Sequence, residues 1–347
     1  MENKKFKFSQ LLTKRQFMVV GATFVIALSL LIYLFFTPFG SSSEKVRYVI
    51  PTGTSFSKVV SDLKVLGVVG NETLAKIAGM IYGLDKRLKP GLFFLPKSVS
   101  YTELMEILSS DDHEKPVTFE LYNGITINGI ANRAKQIKLK AADSLAILLR
   151  DTVYAKALGV EKGNFEGYLL PVNLQVFMSS YATEIIQQLF QEQRKVLSGK
   201  VMEDINKGEY TIHEILTLAS IISRESKYSD EMPRVSGVYH NRLKKGMKLQ
   251  ADPTVQYALP ALKNRITNAD LKIDSPYNTY KYAGLPPGPI GNPGKDAILA
   301  AVYPESHKYL FFVAGKEGRH LFSENYTQHQ IYAREYHKWL DSLKITQ

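Results

Sequence analysis

The stretch T-I-H-E-I-L-T-L-A-S-I-I-S-R-E-S, Thr211 to Ser226, decides how this chain folds. Thr211 followed three residues later by Glu214 is the pairing in which each side chain bonds the other's backbone N–H, so it predicts a helix N-terminus. Ile212, Ile215, Leu216, Ala219 and Ile222 then recur at helical spacing and turn one stripe toward a core. Glu225 falls three residues after Ile222 and seven after Leu218, at the end of the buried side. Burial disfavours the ionised form of a carboxyl, which suits a group that must hold a proton near neutral pH and give it away as a general acid. Taken alone, a Glu near a helix C-terminus is more often a surface residue or an ion-pair partner, so the reading needs its neighbours.

Downstream, Asp230 and Glu231 ahead of Pro233 predict a second helix, closed by Gly246. A short connection favours antiparallel packing, which places Glu225 near Pro233 and Arg234, with Tyr239, His240, Asn241 and Arg242 further along. The segments Q-A-D-P-T-V-Q-Y (250–257), S-P-Y-N-T-Y (275–280) and G-L-P-P-G-P-I-G-N-P-G (284–294) read as loops. Their Tyr, Asn and Gln side chains offer the stacking faces and amides that a pyranose with hydroxyl and N-acetyl groups requires. Pro and Gly that merely shape a surface loop explain the same composition. The chain closes with a strand-like Tyr309–Val313 and a helix holding Trp339.

Upstream to about residue 140 the pattern is mainly helical, in ADSLAILL and YATEIIQQLFQEQRKVL. Before that, a strand, a turn and a helix recur three times. VRYVI (46–50) and Pro51-Thr52-Gly53 lead through Ser55 to Val59, Val60, Leu63 and Leu66. Leu92–Leu95 lead to Leu104, Ile107 and Leu108, and Val117–Leu121 lead through Asn123-Gly124 to Ile127, Ile130 and Ala134. Short β/α binding modules are one use of this plan, and a purely structural role is the other.

Phe17 to Phe36 carries no charge, and about 20 apolar residues suffice to cross a bilayer core. The run ends in Phe35-Phe36-Thr37-Pro38-Phe39, not in the small residues of a cleavage site, so it reads as a retained anchor. Lys4, Lys5, Lys7, Lys14 and Arg15 precede it and only Lys45 and Arg47 follow closely, which places the N-terminus in the cytoplasm. Gly40-Ser41-Ser42-Ser43 then reads as a flexible linker.

The formal net charge is +11, and five Lys/Arg against Glu2 assign +4 of it to the cytoplasmic tip. With the remaining +7 outside the cell, nucleic acid is excluded as a partner. Anionic headgroups or an anionic wall polymer fit, as does ordinary solubility charge. There is no cysteine, hence no disulfide, thiolate site or cysteine nucleophile. There is no GxSxG elbow or phosphate loop, and Thr217 stands where a zincin helix after His213-Glu214 needs its second histidine. The histidines show no ligand spacing; His240 and His320 read as hydrogen-bonded core or loop residues.

LASIISRES, VYHNRLKKGMKLQADPTVQYAL, DSPYNTYKYAGLPPGPIGNPG and the later HLFS together resemble the YceG-like endolytic murein transglycosylases, also called the MltG family. The similarity covers most of the chain beyond the apolar run and is densest from about 211 to 323. It implies an α+β protein divided into a cytoplasmic tip (1–16), a transmembrane anchor (17–37), a linker (38–45), a LysM-like α/β region (46–138) and a mainly helical plus β catalytic domain (139–347). It implies a bacterial inner-membrane protein with its catalytic domain outside. The implied reaction is cleavage of the bond between N-acetylmuramic acid and N-acetylglucosamine in nascent peptidoglycan, leaving 1,6-anhydro ends, with cell-wall synthases as candidate partners.

Residue by residue, the family's catalytic glutamate matches Glu225, and Ser223 stands where many relatives carry a further acid. The motif E-G-Y-L-x-P matches Glu166, Gly167, Tyr168, Leu169 and Pro171, but Val172-Asn173-Leu174 replaces the Asp-Thr-Tyr that follows it elsewhere. Glu166, Tyr168, Asn241, Arg242, Gln250, Asp252, Tyr277, Asn278 and Tyr280 are the expected substrate contacts. Neither metal nor cofactor is required, because the substrate's own C6 hydroxyl attacks C1 and one glutamate serves as acid and then base. Two alternatives stay open: a hydrolytic muramidase pairing Glu225 with Asp252 or Glu166, and a non-catalytic glycan-binding scaffold.

Overall fold

The computed structural model describes residues 13–38, 42–261, 263 and 266–345. The expected charges at Lys4, Lys5 and Lys7, and linker residues Gly40 and Ser41, lie outside the described residues. The contacts divide the chain into two compact units, Met1–Pro116 and Val117–Gln347.

The first unit opens with α1 (Lys14–Phe36), started by Thr13 and Gln16 in a capping box. It is long and apolar enough to cross a membrane, with a mean hydropathy of 2.5. Its side chains are exposed except Phe35, whose ring lies 6.0 Å from that of Tyr101. Strand β1 (Lys45–Ile50) follows, then α2 (Phe56–Val65), α3 (Glu72–Tyr82), α4 (Leu84–Arg87), β2 (Gly91–Pro96) and α5 (Tyr101–Ser109). β1 and β2 pair antiparallel, with Lys45 opposite Pro96 and Ile50 opposite Gly91. Ser55, Asn71 and Ser100 start their helices by accepting N–H groups of the first turn. Val59, Val60 and Leu63 meet Phe93, Leu95, Leu104 and Leu108 in one core. Leu66, expected on that buried face, is exposed instead, because it falls one residue past the last helical one and caps α2 as the chain turns away.

The second unit contains β3 (Val117–Phe119), α6 (Ile127–Gln136), α7 (Ala142–Leu148), α8 (Thr152–Ala157), β4 (Leu174–Val176), α9 (Ala182–Val196), α10 (Lys200–Lys207) and α11 (Ile212–Glu225). It continues with α12 (Met232–Lys244), α13 (Asp252–Ala258), α14 (Lys295–Val302), β5 (Phe311–Ala314), β6 (His320–Ser323) and α15 (Tyr326–Ile345). β3 pairs antiparallel with β4, and β5 with β6, so the unit is a helical body carrying two small ribbons.

The expected boundary at 138/139 and the division at 116/117 differ. Phe119, Leu121, Ile125, Ile127, Ile130 and Ala134 are buried in the core of the second unit, so the third strand-turn-helix repeat belongs to it and not to the first.

α11 is buried around most of its circumference from His213 to Ser223, beyond the single apolar stripe its sequence predicts. It packs against α14, α12 and α13. Its polar residues fit inside because their hydroxyls turn back on the helix: Thr217 donates to the His213 carbonyl and Ser220 to that of Thr217, each at 2.7 Å. Residues 252–258, expected as loop, form α13, since Asp252 and Pro253 both suit a first helical turn.

Candidate active site

The capping box expected at Thr211 is present: its hydroxyl accepts the Glu214 N–H at 3.2 Å, and Glu214 accepts the Thr211 N–H at 2.8 Å. Fourteen residues of helix then carry Glu225 to the C-terminal end of α11, at the edge of a cleft of about 440 Å³. The residue is half-buried, but its Oε2 is sealed from water and has no hydrogen-bond partner among the described residues. Burial and the nearby Asp252 carboxylate push its pKa up to about 8, against the opposing pull of Arg242.

Arg242, Gln250, Asp252 and Tyr280 line the same cleft. Arg242 is buried and committed: it donates to the carbonyls of Leu310 and Leu249, each at 2.7 Å, and its guanidinium lies 5.3 Å from the Phe311 ring. It ties α12 to the entry of β5 while lending charge to the cleft. Gln250 holds φ +50, left-handed backbone that a side-chain-bearing residue seldom adopts, fixed by its N–H to Thr279 O. Tyr280 donates to Asp252 Oδ1 at 2.5 Å. This pair also borders an adjoining hollow of about 450 Å³ lined by Gln256, Asn268 and Leu271.

On α12, Arg234 pairs with Glu305 at 2.9 Å, while the charge of Arg242 bears on Glu225 and that of Glu225 bears on Tyr239.

The other expected contacts do not line this cleft. The Asn241 amide donates to the carbonyls of His307 and Tyr309, and the fully buried Asn278 amide to those of Leu271 and Ile273. Both are loop braces. Tyr168 is buried with its hydroxyl 2.8 Å from His213 Nδ1, while His213 Nε2 donates to Pro287 O. The Tyr277 ring packs tilted against that of Tyr257, with the centroids 5.0 Å apart.

Glu166 is buried elsewhere in the unit. It accepts the Ile127 N–H at 3.1 Å and an Asn292 amide hydrogen at 3.3 Å, and burial pushes its pKa up to about 8. Asn292, fully buried, also accepts the N–H groups of Gly167 and Leu169 and donates to Ile125 O. Gly167 holds φ +85 with Pro289 so close that an added Cβ would sit 2.3 Å from it. The motifs around residues 124, 167 and 292 thus form one latch behind α11, bolted to it where Ser220 accepts the Ile290 N–H and Arg224 donates to Ile290 O.

The cleft's remaining walls come from β5, β6 and the start of α15: Phe311, Phe312, His320, Tyr326 and His329. His329 stacks on Phe311, and His320 meets Phe312 edge-on. Spacing gave no hint of them, since they lie far along the chain from Glu225; only HLFS marked His320. His240, by contrast, is a core residue bonded to Ala301 O. Among the described residues no group of three or more His, Asp or Glu is gathered to hold a metal.

Comparison with known proteins fits this architecture. Residues 48–335 match the YceG-like family. A Bacillus subtilis (strain 168) protein named endolytic murein transglycosylase is 29% identical over 334 residues, covering 92% of this chain and 91% of its own. A Streptococcus pneumoniae (D39) protein of the same name is 28% identical over 330 residues; the match takes in 84% of this chain but spans only 58% of that relative's length. The crystal structure of a yceG-like protein from Listeria monocytogenes superposes with a TM-score of 0.56 at 32% identity, over 83% of this chain and 99% of that one. With the family's match extending over most of its length, the chain belongs to the YceG-like family.

Proposed function

We propose that this protein is an endolytic lytic transglycosylase of peptidoglycan, with Glu225 as its single acid and base. The observation that carries the reading is the sealed carboxyl oxygen of Glu225 in a cleft walled by aromatic rings. With a pKa near 8 this group keeps its proton at neutral pH. It gives that proton to the glycosidic oxygen as the bond from C1 of N-acetylmuramic acid breaks. The C6 hydroxyl oxygen of the same sugar then bonds to C1, and its proton returns to Glu225. The 1,6-anhydro ring forms, no water is consumed, and the enzyme ends as it began. Positioned proton transfer of this kind is worth roughly 10² to 10⁴ in rate.

The two hollows on either side of the Asp252–Tyr280 pair suit a polymer bound across the cut bond, as internal cleavage needs. α1 acts as a membrane anchor with the N-terminus in the cytoplasm, supported by its length, its apolar composition and the bias of flanking charge. The first unit's antiparallel β1–β2 pair enclosing α2, α3 and the single-turn α4 supports a LysM-like module that holds glycan.

A second reading, a hydrolytic muramidase, draws support from Asp252, the carboxylate that acts on Glu225. Mass spectrometry of peptidoglycan digested by the protein decides: anhydro ends support the transglycosylase, and reducing ends require the hydrolase. If neither appears, or if Glu225→Gln digests no less than the parent, the reading of Glu225 as the catalytic acid fails.

A further inference from the structure

Glu231 stands at the N-cap of α12, where an acidic side chain usually accepts N–H groups of the first turn, yet it makes no such bond. Its carboxylate is buried and turned instead toward residues 319 and 320. Oε1 accepts the His320 backbone N–H at 3.1 Å and Oε2 the His320 ring at Nδ1, 3.0 Å away, with Arg319 3.7 Å from Oε1. A carboxylate only accepts, so Nδ1 carries the hydrogen, and the ring's other nitrogen, Nε2, is left to bond elsewhere, accepting in the neutral ring and donating in the charged one. No hydrogen bond engages Nε2 among the described residues, and the ring borders the cleft that holds Glu225. The Phe312 ring, edge-on at 5.2 Å, limits how far the imidazole can turn. A bond that served only to clip β6 to α12 would need the backbone N–H alone. Fixing the ring as well orients a nitrogen toward whatever fills the cleft, as outer groups do for metal-bound imidazoles.

We propose that His320, oriented by Glu231, is a substrate-contacting residue whose Nε2 hydrogen-bonds a saccharide hydroxyl beside the bond that Glu225 cuts. The inference rests on the reading of the cleft as a glycan site.

Two substitutions separate contact from scaffolding. The amide nitrogen of His320→Asn falls near Nδ1, so it keeps the Glu231 partner and loses the distal atom; the longer His320→Gln reaches the Nε2 position. Each is made in the full chain in detergent, alone and together with Glu225→Gln, and binding to uncrosslinked peptidoglycan strands is measured. On the Glu225→Gln background, where no cleavage interferes, His320→Asn is expected to weaken strand binding about tenfold, the worth of one hydrogen bond to a buried group. Its melting temperature should stay with the parent's, and His320→Gln should recover part of the binding. Parental binding by His320→Asn overturns the proposal and leaves Glu225 untouched, as does equal loss in both variants accompanied by a fall in melting temperature. If Glu225→Gln itself still cleaves, the reading of Glu225 fails, and the single variants decide His320 through KM.

Discussion

Replacing Glu225 with Gln keeps its volume and removes its titration, so chemistry and stability separate. Cleavage should fall at least about 100-fold while strand binding persists, measured by product release and by co-sedimentation. The sign of the stability change follows from the raised pKa. Between the unfolded value of 4.5 and the folded value of about 8 the native state holds a proton that the unfolded chain has released. This contribution is therefore complete at low pH and lost as pH rises through about 8. Melting temperature should fall more steeply between pH 5 and 9 in the parent than in Glu225→Gln; parallel curves would refute the raised pKa. Glu166 titrates in the same direction in both proteins and cancels. In the parent, kcat/KM should decline above about pH 8, where the acid is lost. The inward side on which Glu225 lies was legible in the helical periodicity of residues 212–222, but periodicity alone fits a surface Glu at a helix end as well, and the surrounding motifs singled the residue out. Asn241 and Asn278 were not legible, since residue type cannot say whether an amide is already spent on carbonyls, here at 307, 309, 271 and 273.

Among the helices, α11 sets the position of everything else in the cleft, and its start is held by a reciprocal pair. Thr211→Ala should cost about 1 kcal/mol in denaturant unfolding. The latch behind α11 is more demanding. Gly167→Ala puts a methyl where Pro289 already sits and forces a left-handed φ on a side-chain-bearing residue, so about 1 to 3 kcal/mol should be lost. A parental unfolding midpoint would show that Pro289 yields freely. The start of α11 could be read from its capping pair, and the strand expected over 309–313 forms over 311–314. α13 was hidden because Pro and Asp signal a loop as readily as a first helical turn, and the histidine wall was hidden because only tertiary folding brings β6 to α11.

Taken together, the two units predict where the chain can be cut. A protein beginning at Val117 should unfold cooperatively, whereas one beginning at 139 loses β3, α6 and the Ile125 carbonyl that Asn292 binds, and should not fold. Circular dichroism melting of both fragments checks this. The sequence placed the boundary later because three similar strand-turn-helix patterns run together, and only the destination of Phe119 and Ile130 in the core separates the third from the first two.

The bonds of the Asn292 side chain reach across 123 to 167 residues of chain. A ribosome must therefore release the G-N-P-G stretch before the acid at 166 can be shut away from water, and every earlier stage of synthesis leaves that compartment ajar. Such distant loop closures make for late, slow assembly. A wall-cutting enzyme built this way acquires its cutting geometry only when nearly all of it has been delivered.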